Sequence, residues 1–513
     1  MQKKFLIGVD LGTSSTKAAL YQVNGKILSQ SSADVPLINP SPGLVEQRNE
    51  DFLNSAALTV SNCIQQAGVN PKDIAAIAFD SQMAGVGLMD ENFRPVANFD
   101  SWLDMRCQPY IELMDRDAGN EVTLLTGCPP TCDHGPKMLW WKHERPEVYR
   151  RTAKFVMPGS YVAAQLAELP IDQSFIDHTY IHFSGFSDGK QGGWSKALCE
   201  KFGLEMDKLP KIVDPCHVVG VVNGKQAKKF GLAAGTLIAA GAGDTAANAL
   251  GAGIVKPGML FDVAGTAAVL AGCTERFIAD TQHRALLTMR SVIPGLWHPL
   301  AYIGGGGIAL RWFRDNFFKA RQDESLPDPT DDLYTRMIER AKKIPAGSDG
   351  LFFSPHLGGR ICPSNPEMRG AWIGFSWSHS QDHFARAVLE SVAFEYAYYL
   401  KILKQYIPDL QLVEARVVGG GARSNTWNQI KADVLNIPYQ RLKGNEFGTW
   451  GAAMIAGKAA GLIENLAKHA ENTAILNGKK QIPSNTNRGI YQPLVDKYIE
   501  MQNLLNGYFK VNA

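Results

Sequence analysis

The chain has 513 residues, of which 45% are hydrophobic and 20% are charged, and its formal net charge at pH 7 is +2. This length exceeds what a single hydrophobic core usually supports, so two large domains are expected. The nearly neutral balance of charges argues against nucleic acid or an anionic membrane surface as the partner.

The amino-terminal segment predicts neither a signal peptide nor a membrane anchor. Two lysines precede the apolar run FLIGV, but this run is short and Asp10 interrupts it. No stretch of the sequence reaches the roughly 18 apolar residues that a bilayer-spanning helix needs. Eight cysteines in so long a chain are typical of reduced thiols. We therefore expect a cytoplasmic protein.

In chain order, apolar strand-like segments alternate with amphipathic helix-like segments. Strands are predicted at FLIGVDLG, KAALYQV, IAAIAFDSQM, TLIAAGAG, GMLFDVAG and ARVVGGG. Helices are predicted at HFARAVLESVAFEYAYYLKIL and WNQIKADVL. This mixed order indicates an α/β fold.

Two segments, FLIGVDLGTSSTKAALY and GMLFDVAGTAAVLAGC, share an apolar strand, an Asp, a Gly-Thr pair and a second apolar strand. The repeat predicts two related domains that face each other across a cleft, although chance is the alternative because Gly-Thr turns are common. The boundary falls just after GAGDTAANALGAG, which gives domains of residues 1–254 and 255–513. No Pro- or Ser-rich linker lies there, so we expect tightly coupled halves.

Four glycine-rich turns have the composition of phosphate-binding loops, in which backbone N–H groups approach the ligand closely. They are DLGTSSTK at 10–17, AGTAA at 264–268, IGGGGIA at 303–309 and GGGARSN at 419–425. Each follows an apolar segment, which is where ligand-binding turns lie in α/β folds. For any one of them an ordinary structural turn is the alternative.

The first of these turns carries the side chains most suited to a nucleotide. Thr13, Ser14 and Ser15 supply hydroxyl and amide groups, and Lys17 is placed to reach a phosphate. Asp10 at the strand end suits a role around Mg²⁺, through water, because Mg²⁺ keeps much of its hydration shell. A turn cap for Asp10 and a solvated position for Lys17 are the structural alternatives.

A second nucleotide interpretation concerns the segment GAGDTA. It satisfies a dinucleotide-binding fingerprint with Ala as the third small residue, and Asp262 lies near the position of a ribose-binding acid. This NAD-linked alternative leaves DLGTSSTK and GGGARSN unexplained, so a nucleoside triphosphate is favoured. The motif GxxxxGK[ST] is absent, which argues against a P-loop NTPase.

In their order and spacing, the motifs resemble those of the FGGY family of carbohydrate kinases, and most closely its xylulokinase-like members. The resemblance covers nearly the whole chain. It is carried by DLGTSSTK, SQMAGVGLMD, SWLDMR, PKMLWWKHE, GAGDTAANALGAGIVKPG, FDVAGT, LFFSPHLGGR, EMRGAWIGF, VVGGGARSNTWNQIKADVLNIPY and GTWGAAMIAG. It implies two actin-like domains of the RNase H type, with ATP between them and the sugar deep in the cleft of the amino-terminal half.

The resemblance also implies roles for individual residues. Asp244 matches the family's catalytic base, which takes the proton of the attacking hydroxyl, and a helix N-cap is the structural alternative. The positions around ATP would be Gly12, Thr13, Ser14, Gly265, Thr266, Gly307, Gly421, Ala422 and Asn425. Family members often form homodimers, but these residues do not determine an oligomeric state.

The predicted substrate pocket departs from the xylulokinase pattern. Where that pattern has His after Gln-Met, this chain has Gln82, Met83 and Ala84, and where it has Asn after the catalytic Asp, this chain has Thr245. Asp80 stands where small or weakly polar residues are usual. A pocket that loses an imidazole and gains a carboxylate should prefer another hydroxyl pattern. We therefore predict a pentulose, another ketopentose or a polyol, and not specifically D-xylulose.

Further side chains are candidates for sugar contacts. Trp102 offers an aromatic wall and Asp104 a hydroxyl acceptor, while Asp133 and His134 are weaker candidates. Cys128 and Cys132, with His134, could offer three metal ligands, but no second cluster completes a zinc site. A non-kinase ATPase of the same fold is the main alternative from another class, and it would have no need for the predicted sugar-binding residues.

Overall fold

The computed structural model describes residues 4–318, 333–444 and 446–511. Two seven-stranded mixed sheets organise these residues, one in each half of the chain. We call the half that contains the first sheet the first lobe and the other half the second lobe.

The first lobe contains fifteen strands among the described residues, several of them only two or three residues long. The strands are β1 (Phe5–Leu11), β2 (Ser15–Gln22), β3 (Ile27–Asp34), β4 (Glu46–Gln47), β5 (Ile74–Ser81), β6 (Gly87–Met89), β7 (Phe99–Asp100), β8 (Lys154–Val156), β9 (Phe175–Asp177), β10 (Ser187–Asp188), β11 (Gly193–Trp194), β12 (Lys211–Val213), β13 (Val218–Val221), β14 (Leu237–Ala239) and β15 (Ala242–Gly243). The helices are α1 (Asn49–Ala67), α2 (Gln108–Thr126), α3 (His134–Glu144), α4 (Pro146–Arg151), α5 (Pro158–Ala167), α6 (Lys196–Phe202), α7 (Gly224–Phe230) and α8 (Asp244–Gly251).

The second lobe has longer helices and a simpler sheet. Its strands are β16 (Met259–Ala264), β17 (Ala268–Gly272), β18 (Leu287–Arg290), β19 (Trp297–Ile303), β20 (Phe352–Ser354), β21 (Ala371–Ile373), β22 (Glu414–Val418), β23 (Tyr439–Leu442) and β24 (Leu476–Gln481). Its helices are α9 (Gly307–Phe317), α10 (Leu333–Ala341), α11 (Gln381–Tyr406), α12 (Asn425–Leu435), α13 (Phe447–Ala459), α14 (Leu466–Thr473) and α15 (Asn485–Val511). All the strands and helices predicted from the sequence are present.

The two sheets repeat one connectivity. In the first, β1 pairs antiparallel with β2 and parallel with β5, and the strand order is β13-β14-β5-β1-β2-β3, with β15 beside β5. In the second, β16 pairs antiparallel with β17 and parallel with β22, in the order β18-β19-β17-β16-β22-β23-β24. The internal repeat seen in the sequence is therefore a repeat of topology.

The helix α13 lies between β23 and β24 of the second sheet in the chain but packs against the first sheet. A methyl group on Gly8 of β1 would lie only 1.7 Å from the carbonyl oxygen of Thr449, and one on Gly251 would lie 2.0 Å from the carbonyl oxygen of Phe447. Glycine at these positions lets the backbones meet, because any larger residue would clash. The hydroxyls of Tyr21 and Thr449 are hydrogen-bonded at 2.7 Å. The halves are thus coupled by direct packing, while the boundary near residue 254 stays a prediction.

The apolar core runs through both lobes. One buried cluster extends from the first sheet into the second lobe, and another lies on the opposite face of the first sheet beneath α1 and α5. None of the described helices is both long enough and apolar enough to cross a membrane.

Candidate active site

Three aspartates meet where β1, β5 and β15 end. Asp10 and Asp80 are paired residues of the parallel strands β1 and β5. Asp80 is also paired with Ala242 in β15, and Asp244 follows as the first residue of α8. Carboxyl ends of parallel strands meet at one edge of a sheet, so three distant parts of the sequence place their carboxylates together.

Burial and mutual repulsion raise the pKa values of all three carboxyl groups. Burial raises the pKa of Asp244 to about 7, and the charge of Asp10 adds to this rise. Burial also raises the pKa of Asp10 to about 6, against the opposing charge of Lys17. The pKa of Asp80 lies well above its usual range because of burial and the charges of Asp10 and Asp244. The three carboxyl groups therefore titrate as a coupled set, in which ionisation of one disfavours ionisation of the others.

Asp80 is the most deeply buried of the three aspartates, since Asp10 and Asp244 are only partly buried. Its side chain is fully buried, and neither carboxyl oxygen accepts or donates a hydrogen bond within the described part of the chain. A methyl group added to Gly448 of α13 would lie 3.4 Å from Asp80 Oδ1, so α13 forms one wall around it. A buried carboxyl group without a partner costs free energy unless a ligand or a proton compensates for it.

Asp244 is held by its own neighbour. Thr245 donates to Asp244 Oδ1 from its backbone nitrogen at 2.5 Å and from its hydroxyl at 3.1 Å. No described residue hydrogen-bonds to Asp244 Oδ2, and the side chain is only partly buried. Gly243 occupies the N-cap position of α8, so the N-cap alternative for Asp244 is wrong. The result is a carboxylate with one fixed oxygen and one available oxygen.

Sequence reasoning missed Tyr180, which joins the ends of two strands. Its hydroxyl lies 2.6 Å from Ser81 Oγ and donates to the carbonyl oxygen of Ala242 at 2.9 Å. Its side chain is buried. Tyr180 thereby fixes the separation of β5 and β15, and with it the positions of Asp80 and Asp244. No local pattern around Tyr180 signals this role, because its partners are distant in sequence.

The first glycine-rich turn is tied to the predicted sugar side. Gly12 N donates to the carbonyl oxygen of Ser15 at 3.1 Å, which closes the turn. Thr13 Oγ1 accepts from Trp102 Nε1 at 2.8 Å, and the Thr13 carbonyl oxygen accepts from Gln47 Nε2 at 2.9 Å. Gln47 in turn accepts from Gln82 Nε2 at 2.8 Å. Residues predicted to bind phosphate and residues predicted to bind sugar thus form one hydrogen-bonded group.

The other members of this turn line the same edge of the sheet. Ser14 is exposed, and its carbonyl oxygen accepts from Val35 N at 2.9 Å. Ser15 is the first residue of β2, and Lys17 is the β2 residue paired with Asp10. Lys17 is partly buried, and its charge opposes the rise in the pKa of Asp10, so both phosphate contact and a solvated position stay open for it.

Trp102 and Asp104 lie close together but are available to different degrees. Trp102 is 37% exposed and can present its ring to a ligand. Asp104 is fully buried, and its oxygens accept from Val45 N at 2.7 Å and from the Arg106 guanidinium at 2.8 Å. Asp104 therefore anchors the loop through Arg106, and direct contact with a sugar remains only a prediction for it.

Met83 and Ala84 continue from β5 towards α8. A methyl group on Gly243 would lie 2.7 Å from Met83 Sδ, so the thioether packs directly before Asp244. Ala84 adopts a left-handed backbone with φ of 61°, and its carbonyl oxygen accepts from Lys137 Nζ at 3.1 Å. This conformation is costly for Ala, and the buried ammonium group supports it.

Asp133 and His134 are buried next to this loop. Asp133 Oδ1 and both ring nitrogens of His134 have no hydrogen-bond partner among the described residues. Burial keeps the pKa of Asp133 well above its usual range and that of His134 well below its usual range. The His134 ring centre lies 6.3 Å from that of Tyr180. Burial thus disfavours the charged form of both residues, and their contact with a ligand stays a prediction.

The three glycine-rich turns of the second lobe lie close together at one edge of its sheet. The three aspartates of the first lobe lie together at a sheet edge in the same way. Gly265 and Thr266 follow β16, and their carbonyl oxygens accept from Gly307 N at 3.0 Å and from Ile308 N at 2.9 Å. A methyl group on Gly307 would lie 2.4 Å from the Gly265 carbonyl oxygen, so only glycine allows this contact. The turn after β16 is therefore bonded directly to the start of α9.

The third of these turns follows β22, the strand parallel to β16. Gly419 has φ of +89°, and a methyl group there would lie 2.8 Å from the Ala264 carbonyl oxygen. Gly421 lies in the turn itself, Ala422 is buried, and Asn425 is exposed at the start of α12. The predicted ATP residues of the second lobe thus lie along a single sheet edge.

Asp262, the ribose-binding acid of the NAD-linked alternative, is unavailable to a ligand. It is fully buried in β16, where it pairs with Lys431 Nζ at 2.6 Å and accepts from the Tyr396 hydroxyl at 2.7 Å. The fingerprint segment GAGDTA contains β15, which pairs with β5 in the first sheet, whereas Asp262 lies in β16 of the second sheet. The NAD-linked interpretation is therefore wrong.

Comparison with known proteins identifies the two lobes with two related family models. Residues 5–251 match the N-terminal domain of the FGGY family of carbohydrate kinases, and residues 261–460 match its C-terminal domain. The xylulose kinase of Bacillus subtilis (strain 168) is 28% identical over 500 residues, which cover 96% of each chain. The gluconokinase of the same organism is 27% identical over 515 residues, covering 98% of this chain and 97% of that protein.

A solved structure supports the same assignment. The crystal structure of gluconate kinase from Lactobacillus acidophilus has a TM-score of 0.90 and 25% sequence identity, and the match covers 99% of this chain and 100% of that one. The predicted pair of actin-like α/β domains is confirmed. The non-kinase ATPase alternative is set aside, because both family models describe carbohydrate kinases. This chain belongs to the FGGY family of carbohydrate kinases.

Proposed function

We propose that this carbohydrate kinase transfers the γ-phosphoryl group of ATP to a hydroxyl of a small neutral sugar or polyol, with Asp244 as general base. The observation that carries this proposal is the state of Asp244. One of its oxygens is fixed by Thr245, the other has no described partner, and burial raises its pKa to about 7. A base is most effective when its pKa is near the working pH.

In the proposed reaction, Asp244 Oδ2 accepts the proton of the acceptor hydroxyl as the hydroxyl oxygen bonds to the γ-phosphorus. The bond from that phosphorus to the bridging oxygen breaks, and ADP leaves. Such a transition state is loose, so the protein contributes mainly alignment and charge neutralisation. Thr245 aligns the base, and Tyr180 holds the strand ends that place it near Asp80.

For ATP, we propose that the glycine-rich turns of both lobes bind the phosphates. Gly12, Thr13, Ser14, Ser15 and Lys17 belong to the first-lobe turn. The second-lobe positions, with adenosine nearest the last three, are Gly265, Thr266, Gly307, Gly421, Ala422 and Asn425. The close approaches at Gly307 and Gly419 support this proposal, because they bring the three second-lobe turns together at one edge of the sheet.

For Mg²⁺, the available ligands fit a site that is completed by phosphate and water. Within the described residues no group of three His, Cys, Asp or Glu side chains, the three aspartates included, has an arrangement that could hold a metal ion by itself. Mg²⁺ bound beside a nucleotide needs only one or two carboxylates. Asp10 is partly buried beside the phosphate turn and fits that need. Bound there, Mg²⁺ would neutralise phosphate charge.

For the acceptor, we propose a neutral polyhydroxy compound such as a pentulose. Asp80 offers two unpartnered oxygens to hydroxyl groups, and Gln82, Met83 and Trp102 form the surroundings. The relatives named above act on xylulose and on gluconate, which differ in charge. Lys137 is fully buried, and its ammonium group already donates to the carbonyl oxygens of Ala84 and Cys132. It is therefore not free to bind the carboxylate of a substrate such as gluconate.

An ADP-release assay over ketopentoses, polyols, aldonic acids and deoxy sugars tests this proposal. We expect turnover with a neutral ketopentose or polyol and at least tenfold lower kcat/KM with aldonic acids, whose carboxylate meets Asp80. Turnover confined to aldonic acids would refute the neutral acceptor while leaving the role of Asp244 open. The cytoplasmic location, the homodimer and the boundary near residue 254 remain predictions from the sequence.

A further inference from the structure

Two cysteines face each other beside the predicted acceptor pocket. Cys107 Sγ and Cys132 Sγ are 3.7 Å apart. Cys107 is fully buried directly before α2, at the end of the loop that carries Trp102 and Asp104, whereas Cys132 is partly exposed shortly before α3. A disulfide has an S–S distance of about 2.05 Å, so a small approach of these two loops would allow the bond to form.

A buried lysine lies next to this pair without a carboxylate partner. Lys137 is fully buried, and its Nζ lies 3.3 Å from Cys132 Sγ. Its other bonds go to the carbonyl oxygens of Ala84 and Cys132, each at 3.1 Å. Within the described part of the chain, no Asp or Glu oxygen forms an ion pair with it. A buried ammonium group needs a counter-charge. Cys132, Cys107 and Asp100 all raise the pKa of Lys137 against the effect of burial, and of these Cys132 Sγ lies within hydrogen-bond distance.

The electrostatic environment separates Cys132 from the other cysteines. A hydrogen bond from the Cys107 thiol lowers the pKa of Cys132 to about 6 against the effect of burial, and Lys137 adds to the lowering. By contrast, burial raises the pKa of Cys216, the other partly exposed cysteine, to about 12. The pKa values are also raised at Cys63, Cys107, Cys128, Cys199, Cys273 and Cys362. Cys132 is therefore the one thiol with both access and thiolate character.

We propose that Cys132 and Cys107 form a peroxide-sensitive dithiol, with Cys132 as the attacking thiolate and Cys107 as the resolving thiol. The Cys132 sulfur attacks one oxygen of a hydroperoxide, the O–O bond breaks, and with hydrogen peroxide the leaving hydroxide takes up a proton to become water. The sulfur of Cys107 then attacks the resulting sulfenic acid, the S–O bond breaks, and a second water leaves. Overall two thiols are oxidised to one disulfide while hydrogen peroxide is reduced to two waters.

We expect the disulfide to change the loops next to the proposed acceptor pocket, namely the loop of Trp102 and Asp104 and the loop of Ala84. In its protonated form the Cys132 thiol donates to the carbonyl oxygen of Asp104 at 2.7 Å, so Cys132 contacts the loop of Trp102 directly. Oxidation removes the negative charge beside Lys137, whose ammonium group supports Ala84. We therefore expect oxidation to lower kcat/KM for the acceptor and to leave ATP affinity unchanged. This consequence rests on the proposed function, whereas the thiol chemistry does not.

The test treats the full chain with hydrogen peroxide at pH 7, blocks remaining thiols by alkylation, and identifies cross-linked peptides by mass spectrometry. We expect a peptide pair joined through Cys107 and Cys132 that disappears after treatment with a dithiol reductant. Before oxidation, alkylation of Cys132 should be at least about tenfold faster than that of Cys216, because its thiolate fraction is larger. In Cys107→Ser, dimedone should instead trap a sulfenic acid at Cys132.

Cys216→Ser is the matched control and should form the same cross-link as the wild type. Absence of the linked peptide from the folded wild-type protein, or faster oxidation of any other cysteine, would overturn the proposal. The linked peptide with unchanged acceptor kcat/KM would overturn the coupling to the acceptor loops. Because the linked peptide is detected without any enzymatic assay, failure of the proposed kinase reaction is distinguishable from failure of the dithiol.

Discussion

In the second lobe, Glu395 is buried between Arg360 and His356, whereas in the first lobe Asp80 is equally buried and has no partner. Glu395 lies 3.0 Å from the Arg360 guanidinium, 3.2 Å from His356 Nε2 and 3.0 Å from the Tyr498 hydroxyl. Although burial opposes it, Arg360 and His356 lower the pKa of Glu395 to about 2. Burial instead drives the pKa of Asp80 upwards.

Ion pairs also hold buried acids outside the group of Asp10, Asp80 and Asp244, as Arg106 holds Asp104 in the first lobe. In the second lobe Asp262 pairs with Lys431, and Glu390 pairs with Arg386 at 2.8 Å. In the first lobe Asp10 and Asp244 repel Asp80. Ion pairs offset the cost of burying the second-lobe acids, whereas the three grouped aspartates of the first lobe have no such compensation and cost stability. The comparison teaches that partnering, and not burial alone, separates a structural acid from a functional one.

The largest expected effect is on the rate of Asp244→Asn. We expect kcat to fall by about 10²–10⁴-fold, because an amide of the same shape cannot accept the hydroxyl proton. Steady-state kinetics would measure the rate, and calorimetry should show unchanged ATP binding. Asp117→Asn, at an exposed position on α2, is the matched control and should retain wild-type kinetics. A kcat within threefold of the wild type for Asp244→Asn would contradict its role as the base.

Glu395→Gln tests whether an ion-paired acid of the second lobe is needed for stability. We expect the free energy of unfolding to fall by about 3–5 kcal/mol, because the substitution leaves the buried Arg360 without its counter-charge. Urea unfolding followed by circular dichroism would measure the change. If Glu395→Gln were as stable as the wild type, the ion pair of Glu395 would not be needed for the stability of the second lobe.

Asp80→Asn should stabilise the protein, whereas Glu395→Gln should destabilise it. We expect kcat/KM for the acceptor to fall by about 10- to 100-fold as a carboxyl contact is lost, with KM for ATP unchanged. The Tm should rise, because the substitution removes a desolvated acid. An acid with a raised pKa in the folded state loses stability as pH rises, so the gain in Tm should be larger at pH 7.5 than at pH 5.

Two results would count against this account of Asp80. A loss of Tm comparable to that of Glu395→Gln would show that Asp80 is a structural acid. An unchanged kcat/KM with the cognate acceptor would show that it makes no contact with the substrate. Asp80→Ser is a useful second variant, because it removes the carboxyl group without introducing an amide that needs its own partners.

The last prediction concerns how kcat/KM of the wild-type enzyme changes with pH. Asp244 must be ionised to accept a proton, and burial raises its pKa to about 7. Below that pH, kcat/KM should fall about tenfold for each unit of pH, and above it the profile should level off. In Asp244→Asn this acidic limb should be lost from the residual activity. An acidic limb near pH 4 in the wild type would show that the base is not desolvated.

Much of the fold was predictable because its signals are local. Apolar segments of strand length, followed at once by Gly and Thr, predicted β1, β16 and β22 and the turns after them. The repeated hairpin motif predicted the two-lobed arrangement. The order of motifs predicted the family, and the resemblance singled out Asp244 as the candidate base.

Tertiary structure alone decided which partners these side chains have. Asp104 and Asp262 each had the chemistry of a ligand contact, yet Arg106 and Lys431 engage them. In the sequence, Asp80 was a single departure from the xylulokinase pattern. The register of β1, β5 and β15 places it beside Asp10 and Asp244.

The sequence by itself thus determined the strands, the turns and the residue types at their ends, since backbone propensities and steric limits act over a few residues. The tertiary structure decided that α13 returns to the first sheet, that Tyr180 joins β5 to β15, and that Cys107 meets Cys132. These contacts join residues far apart in the chain, and no periodic pattern records them. Burial and charge pairing arise only when those distant segments pack, so the pKa values that set the chemistry are properties of the fold.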